Sequence, residues 1–184
     1  MILPIRAYGD PVLRKKCREI SHDFVNLKDL IENMYETMYS SNGVGLAAPQ
    51  IGHDIRLFVI DTNMFEDKKK NGIKQTFINP VIKNESGAAW NFEEGCLSIP
   101  KIRENVSRLP KIEIEYLNED FSCITKTFEG LEARVIQHEY DHIEGILFID
   151  HLSSFKKQLL KGKLNDITIG KIQVDYKMKF YKSK

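Results

Sequence analysis

Regular spacings of apolar residues predict three helices. Over Phe24–Met38, apolar residues recur every three or four positions, as on one face of an amphipathic helix. The same spacing predicts a second helix over about Leu131–Ile143. A third, lysine-rich helix is predicted over about Ser153–Lys163, with Ser153 as its N-cap. Residues 10–15 begin with Asp-Pro and predict a single short helical turn.

Shorter segments rich in β-branched and aromatic residues predict strands. These segments are Ile55–Asp61, Thr76–Ile82, Lys111–Leu117 and Cys123–Phe128. Alternating apolar residues over Ile172–Phe180 predict one more strand, whereas Gly43–Gly45 and the lysine-containing Glu66–Gly72 predict loops. Because helices and strands do not follow a βαβ rhythm, we predict an α+β fold. It would have mixed or antiparallel sheets around a central helix, an N-terminal helix, and a C-terminal helix followed by a strand. No repeat or linker divides the sequence, so we expect one domain over residues 1–184.

The composition is that of an ordinary globular protein. The chain has 184 residues, of which 42% are apolar and 29% are charged, enough for one domain with a core. It has no run of 18 apolar residues that could span a membrane and no secretory signal at its start. Its three cysteines are odd in number and widely spaced, which is typical of a reducing compartment. We therefore expect a cytoplasmic protein with no membrane partner.

Charge is distributed unevenly along the chain. The net charge is only +1, but residues 151–184 contain nine Lys and two Asp, and the rest contains eighteen basic and twenty-four acidic residues. A basic tail on an acidic body could be attracted to a polyanion such as ribosomal RNA. It could equally be the solvated face of a helix. Nothing in this pattern predicts a DNA partner.

The second predicted helix contains a pair of potential metal ligands. In Gln137-His-Glu-Tyr-Asp-His142, the histidines are four residues apart and therefore lie on one face of the helix. Two imidazoles at this spacing can chelate one divalent metal, with Glu139 beside the first of them. The alternative is a pair of structural histidines satisfied by hydrogen bonds.

A catalytic metal usually has three protein ligands and one open position. In HExxHxxGxxH metallopeptidases the third ligand is a histidine, but this chain has Phe148 there. Other HExxH peptidases use a downstream glutamate, and no glutamate follows Glu144. Upstream, Cys96 in Glu93-Glu-Gly-Cys-Leu-Ser98 could present a thiolate from a turn between strands. A lone cysteine is more often a small buried apolar residue, to which we assign Cys17 and Cys123.

Three segments in order resemble the signature motifs of the peptide deformylase family. They are Gly43-Val-Gly-Leu-Ala-Ala-Pro-Gln50, Glu94-Gly-Cys-Leu-Ser98 and Gln137-His-Glu-Tyr-Asp-His142. The resemblance extends to Tyr8–Leu13 and Gly145–Phe148, so it covers nearly all of residues 1–152. It implies a hydrolase that removes the formyl group from the N-terminal formyl-methionine of nascent polypeptides and releases formate.

The resemblance also assigns roles to individual residues. Cys96, His138 and His142 would bind the metal, whose bound water has a lowered pKa. Glu139 would take a proton from that water and later pass it to the departing amine. Gln50, which on its own would be taken for a polar residue of a surface loop, would form an oxyanion hole with the backbone N–H of Leu97.

Further residues are expected around the substrate. Backbone groups of Val44 and Gly45 would hold the peptide like an added strand. Arg103 would lie near the substrate, and Glu94 would contribute to the same site or support it from behind. Asp141 could orient a ligand imidazole, pair with a nearby cation or be a solvated helix residue. Arg134 is expected at the rim of the pocket.

The expected cofactor is one Fe²⁺ ion per chain, which Zn²⁺, Ni²⁺ or Co²⁺ could replace in purified protein. The expected partners are formylmethionyl nascent peptides and, through the basic tail, the ribosome. Two other hypotheses remain at this point. The chain could be a metallopeptidase that cuts internal amide bonds, or a metal-stabilised binding module that has lost catalysis.

Overall fold

The computed structural model describes residues 1–65 and 72–181. Within them the chain forms three α-helices, α1 (Leu27–Ser40), α2 (Gly130–Ile143) and α3 (Ser154–Thr168). The same residues form nine strands: β1 Ile5–Arg6, β2 Gly45–Ala47, β3 Leu57–Asp61, β4 Lys74–Ser86, β5 Trp90–Cys96, β6 Ile99–Arg108, β7 Lys111–Leu117, β8 Cys123–Glu129 and β9 Met178–Lys179. The predicted α+β class is confirmed. The loop predicted over Glu66–Gly72 lies, apart from Gly72, outside the described residues.

The strands form three separate sheets. The largest is antiparallel, with the order β2-β3-β4-β7-β8. β5 and β6 form an antiparallel hairpin, and β1 pairs in parallel with β9, so the two ends of the chain meet. The β5–β6 hairpin and the segment just before β9 contribute residues to the wall of one cavity.

Helix α2 lies in the middle of the molecule and packs on the five-stranded sheet. Its Ala133 and Ile136 are fully buried in the same apolar cluster as Phe58 and Phe77 of the sheet. The same helix also buries five polar residues, Arg134, Gln137, His138, Glu139 and His142. Burying such groups is costly unless they are paired or bind a ligand. Helix α2 therefore contributes residues both to the apolar core and to the candidate functional site.

Helix positions follow the sequence closely, with small differences at the ends. The turn after Asp10 forms as predicted, and an oxygen of its carboxylate accepts a hydrogen bond from Val12 N–H at 3.1 Å. Helix α1 starts at Leu27 and not at Phe24, because Asn26 has a left-handed backbone conformation (φ 59°). Ser153 caps α3 as predicted, but the helix continues five residues past Lys163 because Leu164 and Ile167 remain buried at helical spacing.

The strand predictions are confirmed for β3, β4, β7 and β8 and wrong in other places. Gly45, expected in a loop, begins β2. The strand predicted over Ile172–Phe180 is formed only by Met178–Lys179, because only these residues pair with β1. The residues before them follow an irregular path along the cavity described below. The hairpin of β5 and β6 was not predicted.

Candidate metal centre and active-site cavity

Helix α2 and the end of β5 bring three potential metal ligands together. One ligand atom from each of Cys96, His138 and His142 can be chosen so that all three lie within 4.8 Å of one another. The Cys96 Sγ atom lies 3.3 Å from His142 Nε2. The two imidazole rings, one turn apart on α2, have centroids separated by 5.1 Å. Two nitrogen donors and one sulfur donor at these distances could hold a single divalent ion.

Cys96 reaches this position because it ends β5 and does not lie in the turn itself. The pairing of β5 with β6 is irregular between Gly95 and Cys96, and the turn consists of Leu97 and Ser98. Burial by itself would raise the pKa of the Cys96 thiol, but the adjacent His142 and His138 lower it to about 5. The group is therefore suited to be a thiolate, which is the form that binds metals.

Glu94 lies behind His138 and fixes its ring. Its Oε2 atom lies 2.9 Å from His138 Nδ1. The same buried carboxylate accepts hydrogen bonds from Arg108 Nε at 2.8 Å and from Arg134 Nη1 at 3.0 Å. Although burial opposes ionisation, His138 and Arg108 hold the pKa of Glu94 well below its usual value. Because Nδ1 contacts Glu94, Nε2 is the His138 nitrogen whose lone pair is available to a metal.

Of two further residues of α2, Asp141 follows one of its expected alternatives and Arg134 does not follow its expectation. Asp141 pairs with a cation, since Arg108 Nη1 lies 2.7 Å from its Oδ2, and the same oxygen lies 2.8 Å from His151 Nε2. Arg134 is not at the pocket rim, since only 2% of it is exposed. Its guanidinium donates to the carbonyl oxygens of Val106 and Trp90 and lies 4.6 Å from the Trp90 ring centroid. Arg134 is therefore a buried support for the hairpin and for Glu94.

Glu139 lies against the backbone of β2. A Cβ atom on Gly45 would lie 2.8 Å from the carboxyl carbon of Glu139, closer than real Cβ contacts allow. Only glycine therefore permits this approach of strand and carboxylate. Burial raises the pKa of Glu139 to about 7, although His138 and His142 act in the opposite direction. A carboxyl group with a pKa near neutrality can both accept and donate a proton.

Gln50 is buried and faces the Cys96 sulfur, so it is not a surface loop residue. Its Oε1 accepts a hydrogen bond from Ala47 N–H at 2.8 Å, which orients the amide. Its Nε2 lies 3.5 Å from Cys96 Sγ and 3.4 Å from Ser98 Oγ. The amide therefore presents a fixed donor beside the candidate metal ligands.

These groups open on a single cavity of about 710 Å³. Val44, Gly45, Gln50, Leu97 and Glu139 all contribute to its wall. Arg103 also lines it and pairs with Glu93 at 2.7 Å, with both side chains largely exposed. Sequence reasoning missed four lining residues from the end of the chain, Gln173, Val174, Asp175 and Tyr176. Their alternating pattern suggested a strand and gave no information about which surface they contact.

Glu139 Oε2 and His142 Nδ1 are buried and have no hydrogen-bond partner among the described residues. A thiolate, two imidazoles and an adjacent carboxylate around one cavity are the parts that a mononuclear metallohydrolase requires. By fold and donor set, the molecule is of the class of HExxH metal-dependent hydrolases.

Comparisons with known proteins narrow this class to one family. The model of the polypeptide deformylase family matches residues 2–158. The chain is 57% identical to the peptide deformylase of Flavobacterium johnsoniae, over 100% of this chain and 98% of that protein. It is 52% identical to the peptide deformylase of Cytophaga hutchinsonii, over 98% of both chains.

Solved structures agree with the sequence comparisons. A peptide deformylase from Legionella pneumophila superposes with a TM-score of 0.82 at 37% identity, over 93% of this chain and 98% of that one. Plant peptide deformylase PDF1B superposes with a TM-score of 0.84 at 32% identity, over 95% and 96%. The chain belongs to the peptide deformylase family, whose enzymes remove the N-formyl group from nascent polypeptides. Among the described residues, no helix has both the length and the apolar character needed to cross a membrane.

Proposed function

We propose that this enzyme hydrolyses the formyl group of formyl-methionyl nascent chains in the cytoplasm, using one divalent metal ion held by Cys96, His138 and His142. The observation that carries the proposal is the convergence of these three ligand atoms within 4.8 Å of one another, with Cys96 and His138 at the wall of the cavity that Glu139 also lines. The lowered pKa of Cys96 and the engagement of His138 Nδ1 by Glu94 both support a metal-binding role.

Fe²⁺ is the metal we propose, and Zn²⁺, Ni²⁺ or Co²⁺ can replace it in purified protein. A thiolate with two neutral imidazoles accepts all of these borderline-soft ions. When bound, the metal lowers the pKa of a water molecule and polarises the formyl carbonyl.

Glu139 is proposed as the group that moves the proton. It adjoins His138 in the sequence and forms part of the cavity wall, so a water near the ligands is within its reach. It would take the proton of the attacking water and later deliver it to the amine of methionine as that amine departs. Its pKa of about 7 suits both steps at neutral pH.

Gln50 and the backbone N–H of Leu97 are proposed to stabilise the oxyanion. Attack on the formamide carbonyl places negative charge on its oxygen. The Gln50 amide is oriented in advance by Ala47 N–H, so its donor needs no rearrangement during the reaction. Leu97 follows the ligand Cys96 directly and lines the same cavity.

The peptide is proposed to lie along the free edge of β2. Among the described strands of the five-stranded sheet, β2 pairs only with β3, and Val44 and Gly45 border the cavity. An extended chain could add to this edge through backbone hydrogen bonds. Arg103 at the open side of the cavity is proposed to contact the peptide beyond methionine. Glu94, buried behind His138, is proposed to act on the ligand ring and not on the peptide.

Ribosome docking is proposed to use the exposed side of α3. This helix carries exposed lysines at positions 157, 161 and 163, with the apolar Phe155 and Leu159 exposed beside them. We expect a Lys157→Glu/Lys161→Glu/Lys163→Glu variant to lose salt-sensitive co-sedimentation with ribosomes while keeping activity on a free peptide. Unchanged co-sedimentation would remove docking through α3 from the proposal.

The decisive experiment measures formate release from a formyl-Met peptide. Protein purified without oxygen and loaded with Fe²⁺ or Ni²⁺ is compared with its Glu139→Ala variant. We expect rapid release by the parent and near-absence of release by a folded, metal-loaded variant. No release by a metal-replete parent would refute the proposed reaction.

A further inference from the structure

The turn that carries Leu97 is held by both ends of the chain. The N–H of Tyr8, just after β1, donates a hydrogen bond to the carbonyl oxygen of Ser98 at 2.8 Å. The hydroxyl of Tyr176, just before β9, donates to the carbonyl oxygen of Leu97 at 2.7 Å. Two successive carbonyls of one turn are thus fixed by residues that flank β1 and β9.

The path of the chain after α3 explains how Tyr176 reaches this position. The parallel pairing of β1 with β9 places Met178 opposite Ile5. It is completed by hydrogen bonds from Ile5 N–H to the Lys177 carbonyl at 2.8 Å and from Ala7 N–H to the Lys179 carbonyl at 3.0 Å. Tyr176, two residues earlier, packs half-buried against the apolar cluster that Leu97 also contacts. This part of the basic C-terminal region is therefore built into the fold.

The same turn also contacts a residue beside the candidate metal centre. There Gln50 Nε2 lies 3.4 Å from Ser98 Oγ and 3.5 Å from Cys96 Sγ. Gln50 thus contacts the side chains of Cys96 and Ser98, while Tyr176, which lines the same cavity, holds the backbone of Leu97. Rotation of the backbone at Leu97 would move its N–H relative to the Gln50 amide, and the bond from Tyr176 opposes that rotation.

We propose that Tyr176 is a positioning residue for deformylation, because its hydroxyl fixes Leu97 so that the N–H of that residue points at the developing oxyanion. This inference rests on the proposed function, in which Leu97 N–H is an oxyanion donor. Pre-organised donors of this kind matter most in the transition state, so their misalignment lowers kcat more than it weakens ground-state binding. Burial also raises the pKa of Tyr176 above its usual range, which keeps the hydroxyl a donor.

The test compares Tyr176→Phe with Tyr181→Phe in the full-length, metal-loaded enzyme. Both changes remove one hydroxyl, but Tyr181 is largely exposed. We expect Tyr176→Phe to lower kcat about five- to tenfold, the scale of one lost hydrogen bond, with KM within about twofold and unchanged metal content. Tyr181→Phe should match the parent. As a second measurement, the backbone amide of Leu97, followed by NMR, should exchange its hydrogen faster in Tyr176→Phe.

Each outcome decides a different point. An active parent with an equally active Tyr176→Phe, and equal exchange at Leu97, would overturn this inference and leave the proposed function intact. A rise in KM at constant kcat would also overturn it, because Tyr176 would then act on substrate binding. An inactive, metal-replete parent would overturn the proposed function and this inference with it.

Discussion

The carboxylate of Glu94 lies 2.9 Å from His138 Nδ1 and at the same time accepts hydrogen bonds from Arg108 and Arg134. This buried carboxylate therefore orients a candidate metal ligand and also balances the charge of two arginines. Partners of this kind raise the basicity of the ligand and fix its tautomer. The arrangement therefore couples metal affinity to stability.

We expect Glu94→Gln to weaken metal binding about 10- to 100-fold, because the neutral amide no longer holds His138 as a carboxylate does. It should also lower the free energy of unfolding by about 3 kcal/mol, since the buried Arg134 and Arg108 each lose a carboxylate partner, although Arg108 keeps Asp141. Zinc affinity is measured by competition with a chelator, and stability by urea unfolding. The matched control is Glu93→Gln, which changes the adjacent exposed glutamate. If the two variants bound zinc equally well, Glu94 would have no role in metal binding by His138.

How far the sequence predicts this site depends on the range of each interaction. The pairing of His138 with His142 follows from local helix geometry, which needs no knowledge of the fold. Cys96 became a candidate because no third ligand follows His142, and Gln50 was assigned only by resemblance. The contact between them joins residues 46 positions apart, so spacing alone could not predict it. Arg134 was misplaced for the same reason: its buried partner Glu94 is 40 residues away.

The fold shows the same division. Helices α1, α2 and α3 were predicted within a few residues, since their periodicity is local and their length makes it clear. Strand pairing is not local, so the hairpin of β5 and β6 and the short β2 were missed. Apolar residues do alternate over Ile172–Phe180, but a strand also requires a neighbouring strand to pair with. Only Met178 and Lys179 of this segment pair with β1.

Gly45→Ala should strongly reduce activity without unfolding the protein. The added methyl group would meet the carboxyl group of Glu139, and either β2 or Glu139 must shift. Displacement of a catalytic group by about 1 Å can cost roughly 100-fold in rate, so we expect kcat/KM for formate release to fall by about that factor. Gly162→Ala is the control, because a Cβ there would meet nothing within 4 Å. It should stabilise α3 by about 1 kcal/mol and leave kcat/KM unchanged. Equal activity of the two variants would contradict the close approach of Gly45 to Glu139.

Gln50→Glu tests the Nε2 donor of the Gln50 amide separately from its Oε1 acceptor. The variant retains an oxygen that can accept from Ala47 N–H, but it replaces the Nε2 donor with a second oxygen facing Cys96. If that donor stabilises the oxyanion, kcat should fall about 100- to 1000-fold. The control is Gln75→Glu, the same change at a side chain that donates to the carbonyl of Thr76. Steady-state kinetics on metal-loaded proteins would measure both, and a Gln50→Glu variant with the kcat of the parent would exclude the donor role.

Cys17 should make stability depend on pH in the alkaline range. Burial, assisted by the carboxylates of Asp54 and Glu144, raises the pKa of its thiol from 9.0 to about 11 in the folded state. Below pH 9 the Cys17 thiol is protonated in both the folded and the unfolded state, so its contribution to the free energy of unfolding is fully present. Between pH 9 and 11 the unfolded chain ionises first, so the free energy of unfolding falls as pH rises, by at most about 1.4 kcal/mol per pH unit. Urea unfolding of the parent and of Cys17→Ala, in reductant from pH 8 to 11, isolates this effect because all other titrating groups are shared. The destabilisation caused by Cys17→Ala should be largest at pH 8 and shrink towards pH 11, and a difference that stays constant would show that the thiol is not held neutral by the fold.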